Sequence, residues 1–381
     1  MTRVAFVSPE PTPYRSPLLD RAAALDEIDL TVIYAARSVA SRTWTVEPEH
    51  RAVFLDGIRL PGVRDVFRHD YPVTPGILGA LRRSKPDCVV VSGWSTFASQ
   101  AAVAWCRARH VPYVLLVESH DSSPKPGWRR RVKETAVPPV VRRAASVLVT
   151  GTLARDSVVA LGAEPERVRV FANTIDIGDY ARRADELAAR RSELRRDLDL
   201  ADGDTAVLTV CRLAPEKGVD TLLRAAGRAR DRHVAAVAVG DGPERARLEQ
   251  LAYELGIVAR LTGDRPRDGV IEAYAAADVF ALLSDHEPWG VVVNEAAACG
   301  LPLVLSDRVG AARDLLRDGE NGFLVPAGDV GAAAEAFRRL AVDPDLRGRM
   351  GARSRELVAG WGYEPSIENL LAAVREATAS R

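Results

Sequence analysis

Two cations and two carboxylates in the second half of the chain are spaced as a ligand-binding set. Arg212 and Lys217 straddle the turn of RLAPEKG, directly after the apolar run TAVLTVC. Glu287 and Glu295 lie in EPWGVVVNE, directly after the apolar run DVFALLS. Cations beside a helix N-terminus favour a phosphate or diphosphate, and ionised carboxylates accept hydrogen bonds from sugar hydroxyls. A nucleotide sugar presents both groups.

The Pro-Trp-Gly turn between the glutamates predicts where a helix begins. A helix starting near Trp289 or Gly290 leaves main-chain amides free to meet an anion, those of Gly290, Val291 and Val292. Glu295 then lies about one turn into the helix, while Glu287 lies on the loop before it. Spacing alone also allows an acid/base pair, or a helix-dipole partner beside an unrelated loop residue. Gly242, in the GDG turn after VAAVAVG, allows either close approach of a ligand or a simple turn.

Both halves of the chain alternate apolar strands with helical segments, which predicts parallel sheets flanked by helices. We expect two doubly wound α/β domains, residues 1–182 and 183–362, followed by a helix over 363–381 that could pack back on the first domain. The predicted strands are 3–8, 29–34, 87–92, 112–118, 145–150 and 167–171 in the first half, and 205–211, 234–240, 259–263, 278–284, 301–306 and 322–326 in the second. Ligands of such sheets bind beyond the carboxyl ends of the strands, so two facing domains predict a cleft.

Charge and cysteine usage narrow the class of protein. The 52 basic and 52 acidic residues cancel, which argues against nucleic acid as a partner. The four cysteines lack metal-ligand spacing and suggest a reduced, cytoplasmic protein. Residues 125–143 carry a net charge of +6, which fits an anionic membrane surface, an acidic acceptor or a solvated helix face. The apolar runs are shorter than the roughly 20 residues of a membrane span.

The ordered set of Arg212 and Lys217, GDGP, EPWG-x4-EA, GLPLV and DGENGFLVP resembles the nucleotide-sugar half of the retaining glycosyltransferases of family 4, also called glycosyl transferases group 1. The similarity is dense over about 205–345 and implies the GT-B fold. It implies that Arg212 and Lys217 bind the donor diphosphate, that Glu295 bonds the ribose and that Glu287 approaches the donor sugar. Residues 289–292, Trp289 to Val292, would meet sugar and phosphate through main-chain groups.

The first half departs from the family in one loop. Where many members have a glycine-rich loop, this chain has Pro-Tyr-Arg, so Tyr14 and Arg15 are acceptor-side candidates. The resemblance also implies that His120 contacts the donor sugar. Other polar and aromatic side chains follow strand ends and are further acceptor-side candidates, namely Trp94, Glu118 and Asp121. Asn173 and Asp176 are expected in the turn before the interdomain linker.

The resemblance implies transfer of a hexosyl group from a nucleoside diphosphate sugar, usually a UDP-sugar, to a hydroxyl with retention. The acceptor could be a small molecule, a natural product or a glycoconjugate. Front-face displacement needs no cofactor, metal or protein nucleophile, so the catalytic candidates are Glu287, His120, Arg212 and Lys217. Three alternatives stay open: Glu287 as a covalent nucleophile, a nucleotide-sugar 2-epimerase of the same fold, and a binding protein without activity. The oligomeric state and peripheral contact with the inner membrane face also stay open.

Overall fold

Runs of apolar residues that are buried on both faces form the strands of two parallel sheets. The computed structural model describes residues 1–38, 46–58, 71–118, 134–229, 231 and 233–379. The chain divides into two units, Met1–Asn173 with Tyr363–Arg381, and Thr174–Gly362.

The first unit contains a seven-stranded parallel sheet in the order β3-β2-β1-β4-β5-β6-β7. Strands such as Cys88–Ser92 and Tyr113–Val117 are buried along their whole length, as expected of a sheet covered on both faces. All six strands predicted in this half are present, and a seventh, Ala52–Phe54, pairs with the edge of β2. The strands are β1 Thr2–Ser8, β2 Ile28–Tyr34, β3 Ala52–Phe54, β4 Cys88–Ser92, β5 Tyr113–Val117, β6 Ser146–Val149 and β7 Val168–Val170.

Helices cover both faces of this sheet. The helix Phe97–Arg109 begins after the N-cap residue Thr96, whose side chain accepts a hydrogen bond from the Ser99 amide at 3.1 Å. The final helix of the chain packs in this unit, and its Leu370 and Val374 are buried in the same core cluster as Leu116 and Leu148 of the sheet. The helices among the described residues are α1 Ser16–Ala23, α2 Ile77–Ser84, α3 Phe97–Arg109, α4 Pro138–Val141, α5 Thr152–Ala160 and, at the end of the chain, α15 Tyr363–Ala379.

The second unit contains a six-stranded parallel sheet in the order β10-β9-β8-β11-β12-β13. All six predicted strands are present, as β8 Thr205–Val210, β9 Val234–Val239, β10 Ala259–Gly263, β11 Val279–Leu282, β12 Leu303–Ser306 and β13 Gly322–Val325. Its helices are α6 Ile177–Leu187, α7 Arg191–Asp197, α8 Val219–Arg228, α9 Arg245–Leu255, α10 Arg267–Ala276, α11 Val291–Ala298, α12 Ala312–Leu315, α13 Val330–Val342 and α14 Pro344–Val358.

The second unit begins after Asn173, whereas the sequence placed the domain boundary at 182. Helix α6 accounts for the difference. Its N-cap is Asp176, whose side chain accepts a hydrogen bond from the Asp179 amide at 3.0 Å, and its Tyr180 is buried in the core of the second unit. The helix therefore belongs to the second unit, although the polar residues on its outer face are typical of a linker. No helix in the described part of the chain combines the length and apolar character needed to cross a bilayer.

Candidate active site

The loops that follow β8, β9 and β11 pack closely at the carboxyl ends of these neighbouring strands. The Leu213 amide donates to the Asp241 carbonyl at 2.9 Å, and a Cβ on Gly242 would lie 2.3 Å from the Leu213 carbonyl oxygen. Gly242 is thus required for packing between loops, and its amide donates to the Asp241 carboxylate at 2.7 Å. Gly218 has φ of 64° and approaches the Leu283 carbonyl in the same way. These glycines fix the positions of the side chains around them.

Lys217 and Glu287 form an ion pair across two of these loops. The Lys217 Nζ lies 2.5 Å from Glu287 Oε2, and the two side chains are 21% and 15% exposed. The main chain of Glu287 is held by the loop after β12, because its amide donates to the Arg308 carbonyl and its carbonyl accepts from the Gly310 amide. A carboxylate and an ammonium are therefore held together at the mouth of helix α11.

Arg212, the second predicted cation, is exposed in the loop after β8. It makes no ion pair with any residue that the structure describes. Its backbone is fixed, since its carbonyl accepts from the Ala214 amide at 2.8 Å. The loop after β8 thus carries one cation paired with Glu287 and a second cation open to a ligand.

Helix α11 begins at Val291, directly after Gly290, close to the predicted start. Gly290 has φ of 90°, a left-handed conformation that favours glycine. The amides of the first helical turn, which include those of Val291 and Val292, have no acceptor within the helix. Positive electrostatic potential from these amides therefore lies beside the Lys217–Glu287 pair.

Trp289 is a core residue at this turn. Its side chain is 3% exposed, its Nε1 donates to Asn294 Oδ1 at 3.0 Å, and its ring lies 5.2 Å from that of Trp361. Its carbonyl accepts from the Ala311 amide. The indole therefore anchors the turn, and this carbonyl is already engaged within the protein.

Glu295 lies in helix α11 and is bound by two tyrosines. Tyr274 donates to Oε2 at 2.8 Å, and Tyr180 donates to Oε1 at 3.3 Å. Burial raises the pKa of Glu295 to about 7, against the opposing effect of these hydrogen bonds and of Arg267. Burial likewise raises the pKa of both tyrosines, so they remain donors. Arg267 lies over the Tyr180 ring, 5.0 Å from its centroid.

In the first unit, Arg15 joins the carboxyl ends of three strands. Its Nη2 donates to Glu118 Oε1 at 2.9 Å and to Asn173 Oδ1, and its guanidinium lies 4.9 Å from the centre of the Phe171 ring. The Arg15 side chain is 6% exposed, while that of Glu118 is 42% exposed. Arg15 therefore positions Glu118, and Asn173 is a partner of this arginine in addition to a turn residue.

The remaining candidate residues of the first unit are Tyr14, Trp94, His120 and Asp121. Tyr14 and Trp94 are half-buried, and Trp94 packs against the hydrophobic core. His120, Asp121 and most of the basic segment lie outside the described residues. Among the residues that are described, no group of three His, Cys, Asp or Glu side chains is arranged to hold a metal ion.

The sequence matches two family descriptions that together cover most of the chain. Residues 190–357 match "Glycosyl transferases group 1", and residues 18–174 match "Glycosyl transferase 4-like domain". The D-inositol 3-phosphate glycosyltransferase of Kribbella flavida is 34% identical over 337 residues, which are 85% of this chain and 74% of that enzyme. The chain belongs to the group 1 glycosyl transferases.

Other relatives of this glycosyltransferase are matched over a smaller part of their length. The D-inositol 3-phosphate glycosyltransferase of Thermomonospora curvata is 35% identical, with 58% of this chain and 54% of that enzyme covered. The lipopolysaccharide core biosynthesis glycosyltransferase LpsE of Rhizobium meliloti is 36% identical over 44% of this chain and 48% of its own. The epimerase alternative is not favoured by these relatives.

Solved structures support the GT-B fold of this glycosyltransferase. HepE of Anabaena, solved in complex with UDP and glucose, has a TM-score of 0.74 and 20% identity with full coverage of both chains. The sucrose-phosphate synthase of Thermosynechococcus elongatus has a TM-score of 0.76 and 19% identity, also with full coverage of both chains. At this level of identity the likeness shows the fold.

Three residues around Glu295 in the candidate site were not predicted from the sequence, namely Tyr180, Tyr274 and Arg267. Tyr180 ends the segment FANTIDIGDY, which was expected to form the turn before the interdomain linker, and Tyr274 lies in an apolar helical segment. A buried tyrosine hydroxyl needs a hydrogen-bond partner, so a tyrosine on the inner face of each helix was a signal for a nearby polar group. The sequence did not show that this group is Glu295.

Proposed function

We propose that this glycosyltransferase moves a hexosyl group from a nucleoside diphosphate sugar, a UDP-sugar in our preferred case, to an acceptor hydroxyl with retention. The observation that carries the proposal is the Lys217–Glu287 pair at the mouth of helix α11. Arg212, which has no ion-pair partner among the described residues, lies in the same loop as Lys217. The pair and the helix amides offer a carboxylate for sugar hydroxyls and positive charge for phosphates within one small region.

The diphosphate is the first group that this region would bind. No carboxylate of the described residues competes with a phosphate for Arg212, and its guanidinium can donate two parallel hydrogen bonds. Lys217 is a compact point charge with three donors, so it can bind a phosphate oxygen while still donating to Glu287. These cations would stabilise the charge that develops on the leaving diphosphate. They can do so without a metal ion, so we expect chelators to leave turnover unchanged.

The two glutamates would hold opposite ends of the donor. Glu287 is fixed by main-chain hydrogen bonds and would accept from a hydroxyl of the transferred sugar. Glu295 would accept from ribose hydroxyls. With a pKa of about 7, Glu295 is ionised in part of the molecules at neutral pH. The ionised carboxylate has about four acceptor sites, so the two tyrosine hydrogen bonds leave capacity for the ribose.

Retention would follow from front-face displacement, in which the acceptor oxygen attacks as the diphosphate leaves and a donor phosphate oxygen takes the acceptor proton. Glu287 serves in this mechanism as an acceptor of a hydroxyl hydrogen bond, since a carboxylate paired with an ammonium at 2.5 Å is a weakened nucleophile. His120 is proposed to contact the donor sugar on the basis of the family resemblance alone.

The acceptor class is proposed from the relatives. Enzymes named for D-inositol 3-phosphate and for a lipopolysaccharide core support a hydroxyl of a small polyol or of a glycoconjugate. The test is to incubate the protein with UDP-hexoses and each acceptor type, and to determine the anomeric configuration of the product by NMR. An α-linked product from an α-linked donor supports the proposal; an inverted product, or epimerised donor without transfer, contradicts it.

A further inference from the structure

A cavity of about 350 Å³ lies in the first unit at the edge of the sheet where the strands begin. Arg3 is at the start of β1, Asp87 directly precedes β4, and Val111 precedes β5. Arg15 and Glu118 lie near the opposite, carboxyl edge of the same sheet. The cavity therefore lies at the edge of the sheet opposite Arg15 and Glu118, and its volume suits a small ligand.

Positive charge dominates the lining of this cavity. Arg3 is paired with Asp87, to which its Nε and Nη2 donate at 3.1 and 2.8 Å. Arg82, Lys85 and Arg109 are exposed, and none of them has an ion-pair or hydrogen-bond partner among the residues that the structure describes. Three positive charges are thus left over after the single carboxylate of the lining is counted.

Helix dipoles explain part of this charge but not all of it. Helices α2 and α3 both end beside the cavity, and each C-terminus carries a partial charge of about −0.5. Two such ends offset about one of the three surplus charges. Arg83 and Arg107 lie in the last turns of the same helices without lining the cavity and offset the dipoles further. A local surplus of about two positive charges remains at the cavity.

An unpaired donor and an apolar floor complete the lining. The Nε1 of Trp105 is buried and has no hydrogen-bond partner in the part of the chain that the structure describes. A buried N–H without an acceptor is costly, and the Trp105 side chain that carries it lines the cavity. Leu81, Pro86 and Val111 are buried beneath the cations, which lowers the local dielectric and strengthens the attraction of an anion.

Lys85 has a left-handed backbone conformation, which glycine adopts more readily than lysine. It follows the end of α2 with φ of 43° and ψ of 54°, the left-handed region where helices commonly end in glycine. A lysine therefore holds a cation at the rim of the cavity at some cost in stability. Replacing Lys85 by glycine should therefore stabilise the fold while it removes a cation from the cavity.

We propose that this cavity binds a phosphate group, carried either by a small soluble metabolite or by a phospholipid headgroup. Two guanidinium groups and an ammonium match the charge and the acceptor oxygens of a phosphate monoester or diester. The apolar floor would contact the carbon skeleton to which the phosphate is attached. The site is independent of the proposed transfer reaction.

The test compares two matched double variants of the full chain. Arg82→Ala/Arg109→Ala removes one cation that lines the cavity from the last turn of α2 and one from the last turn of α3. Arg83→Ala/Arg107→Ala removes one cation from the last turn of each helix at a position that does not line the cavity. Binding of glycerol 3-phosphate is measured by calorimetry, and binding to phosphatidylcholine vesicles with and without phosphatidylglycerol is measured by co-sedimentation. The donor site is intact in both variants, so it contributes equally to both.

We expect Arg82→Ala/Arg109→Ala to weaken the binding of one probe at least tenfold, about the effect of losing one charge-assisted hydrogen bond. The control Arg83→Ala/Arg107→Ala should weaken the same binding less than about twofold. Preference for the soluble probe identifies a metabolite, and binding to anionic vesicles alone identifies a headgroup. Lys85→Gly should raise the melting temperature while it weakens the same binding. Absence of saturable binding of both probes, or equal weakening by the two double variants, overturns the proposal.

Discussion

The Nζ of Lys217 and the Oε2 of Glu287 lie 2.5 Å apart, although 70 residues separate them in the chain. Strands β8 and β11 are neighbours in the second sheet, so the loops that follow them meet at one edge. The pair brings a carboxylate and an ammonium group together in a place where a sugar hydroxyl and a phosphate oxygen can be bound side by side.

Replacement of Glu287 should separate nucleotide binding from turnover. Glu287→Gln removes the carboxylate that pairs with Lys217, and the released ammonium can then bind the diphosphate fully. We expect UDP to bind equally well or more tightly, while kcat falls by about 10²–10³, the range for loss of one transition-state hydrogen bond. Calorimetry with UDP and initial rates of transfer measure the two effects. A glycosyl adduct on Glu287 in the wild type, detected by mass spectrometry, would instead establish a covalent mechanism.

Removal of the Arg212 side chain should weaken nucleotide binding without destabilising the fold. The residue is exposed and unpaired among the described residues, so Arg212→Ala should change the free energy of unfolding by less than about 0.5 kcal/mol. Its loss should weaken UDP binding about tenfold, since a hydrogen bond to a charged group contributes about 1.5–3 kcal/mol. Arg224→Ala, at an exposed position of helix α8, is the matched control. Equal UDP affinity of the two variants would remove Arg212 from the site.

The raised pKa of Glu295 predicts a pH dependence of stability. The folded state holds its proton up to about pH 7, whereas the unfolded chain releases it near its ordinary pKa of about 4.5. Between these values the folded state binds more protons, so the contribution of Glu295 to the free energy of unfolding decreases as pH rises. Glu295→Gln should flatten this decrease in urea titrations between about pH 5 and 7, while the control Glu272→Gln leaves it in place. An identical slope in all three proteins would show that Glu295 titrates normally.

Arg15 should contribute strongly to stability because it is a buried cation with fixed partners. Arg15→Ala leaves Glu118 and Asn173 without their shared donor and removes the guanidinium from the Phe171 ring. We expect a loss of about 1–3 kcal/mol in the free energy of unfolding, the range for leaving a buried hydrogen-bonding group without its partner. Glu118→Gln keeps a neutral acceptor and should cost less, since the Glu118 side chain is 42% exposed. Denaturant unfolding that shows the reverse order would contradict this assignment.

The strands could be predicted well because parallel strands buried on both faces are continuous apolar runs. Strand β3 was missed because it has three half-buried residues at the sheet edge, too few to show a period. The first unit ends at Asn173 instead of 182 because helix α6 presents a polar outer face while its inner face is buried. The sequence pattern can show that one face of α6 is apolar, but it does not show which of the two sheets this face packs near.

The candidate site could be predicted where its residues directly follow strands. Arg212, Lys217 and Glu287 are of this kind, and the order of the strands brings two of them into contact. The tyrosines on Glu295 could not be predicted, because Tyr180 is 115 residues away and the contact depends on how α6 and α10 pack against α11. The engagement of Arg15 with Asn173, 158 residues apart, is a tertiary contact of the same kind.

The central claim is that Arg212, Lys217 and the start of helix α11 bind the diphosphate of a nucleotide sugar. The most direct measurement is calorimetric titration of the wild type and of Arg212→Ala/Lys217→Ala with UDP, GDP, ADP and TDP. We predict saturable binding of one diphosphate, UDP in the preferred case, that the double variant weakens about a hundredfold or more, the sum of two charge-assisted interactions. Indifference of the wild type to all four nucleotides, or undiminished binding by the double variant, would contradict the claim.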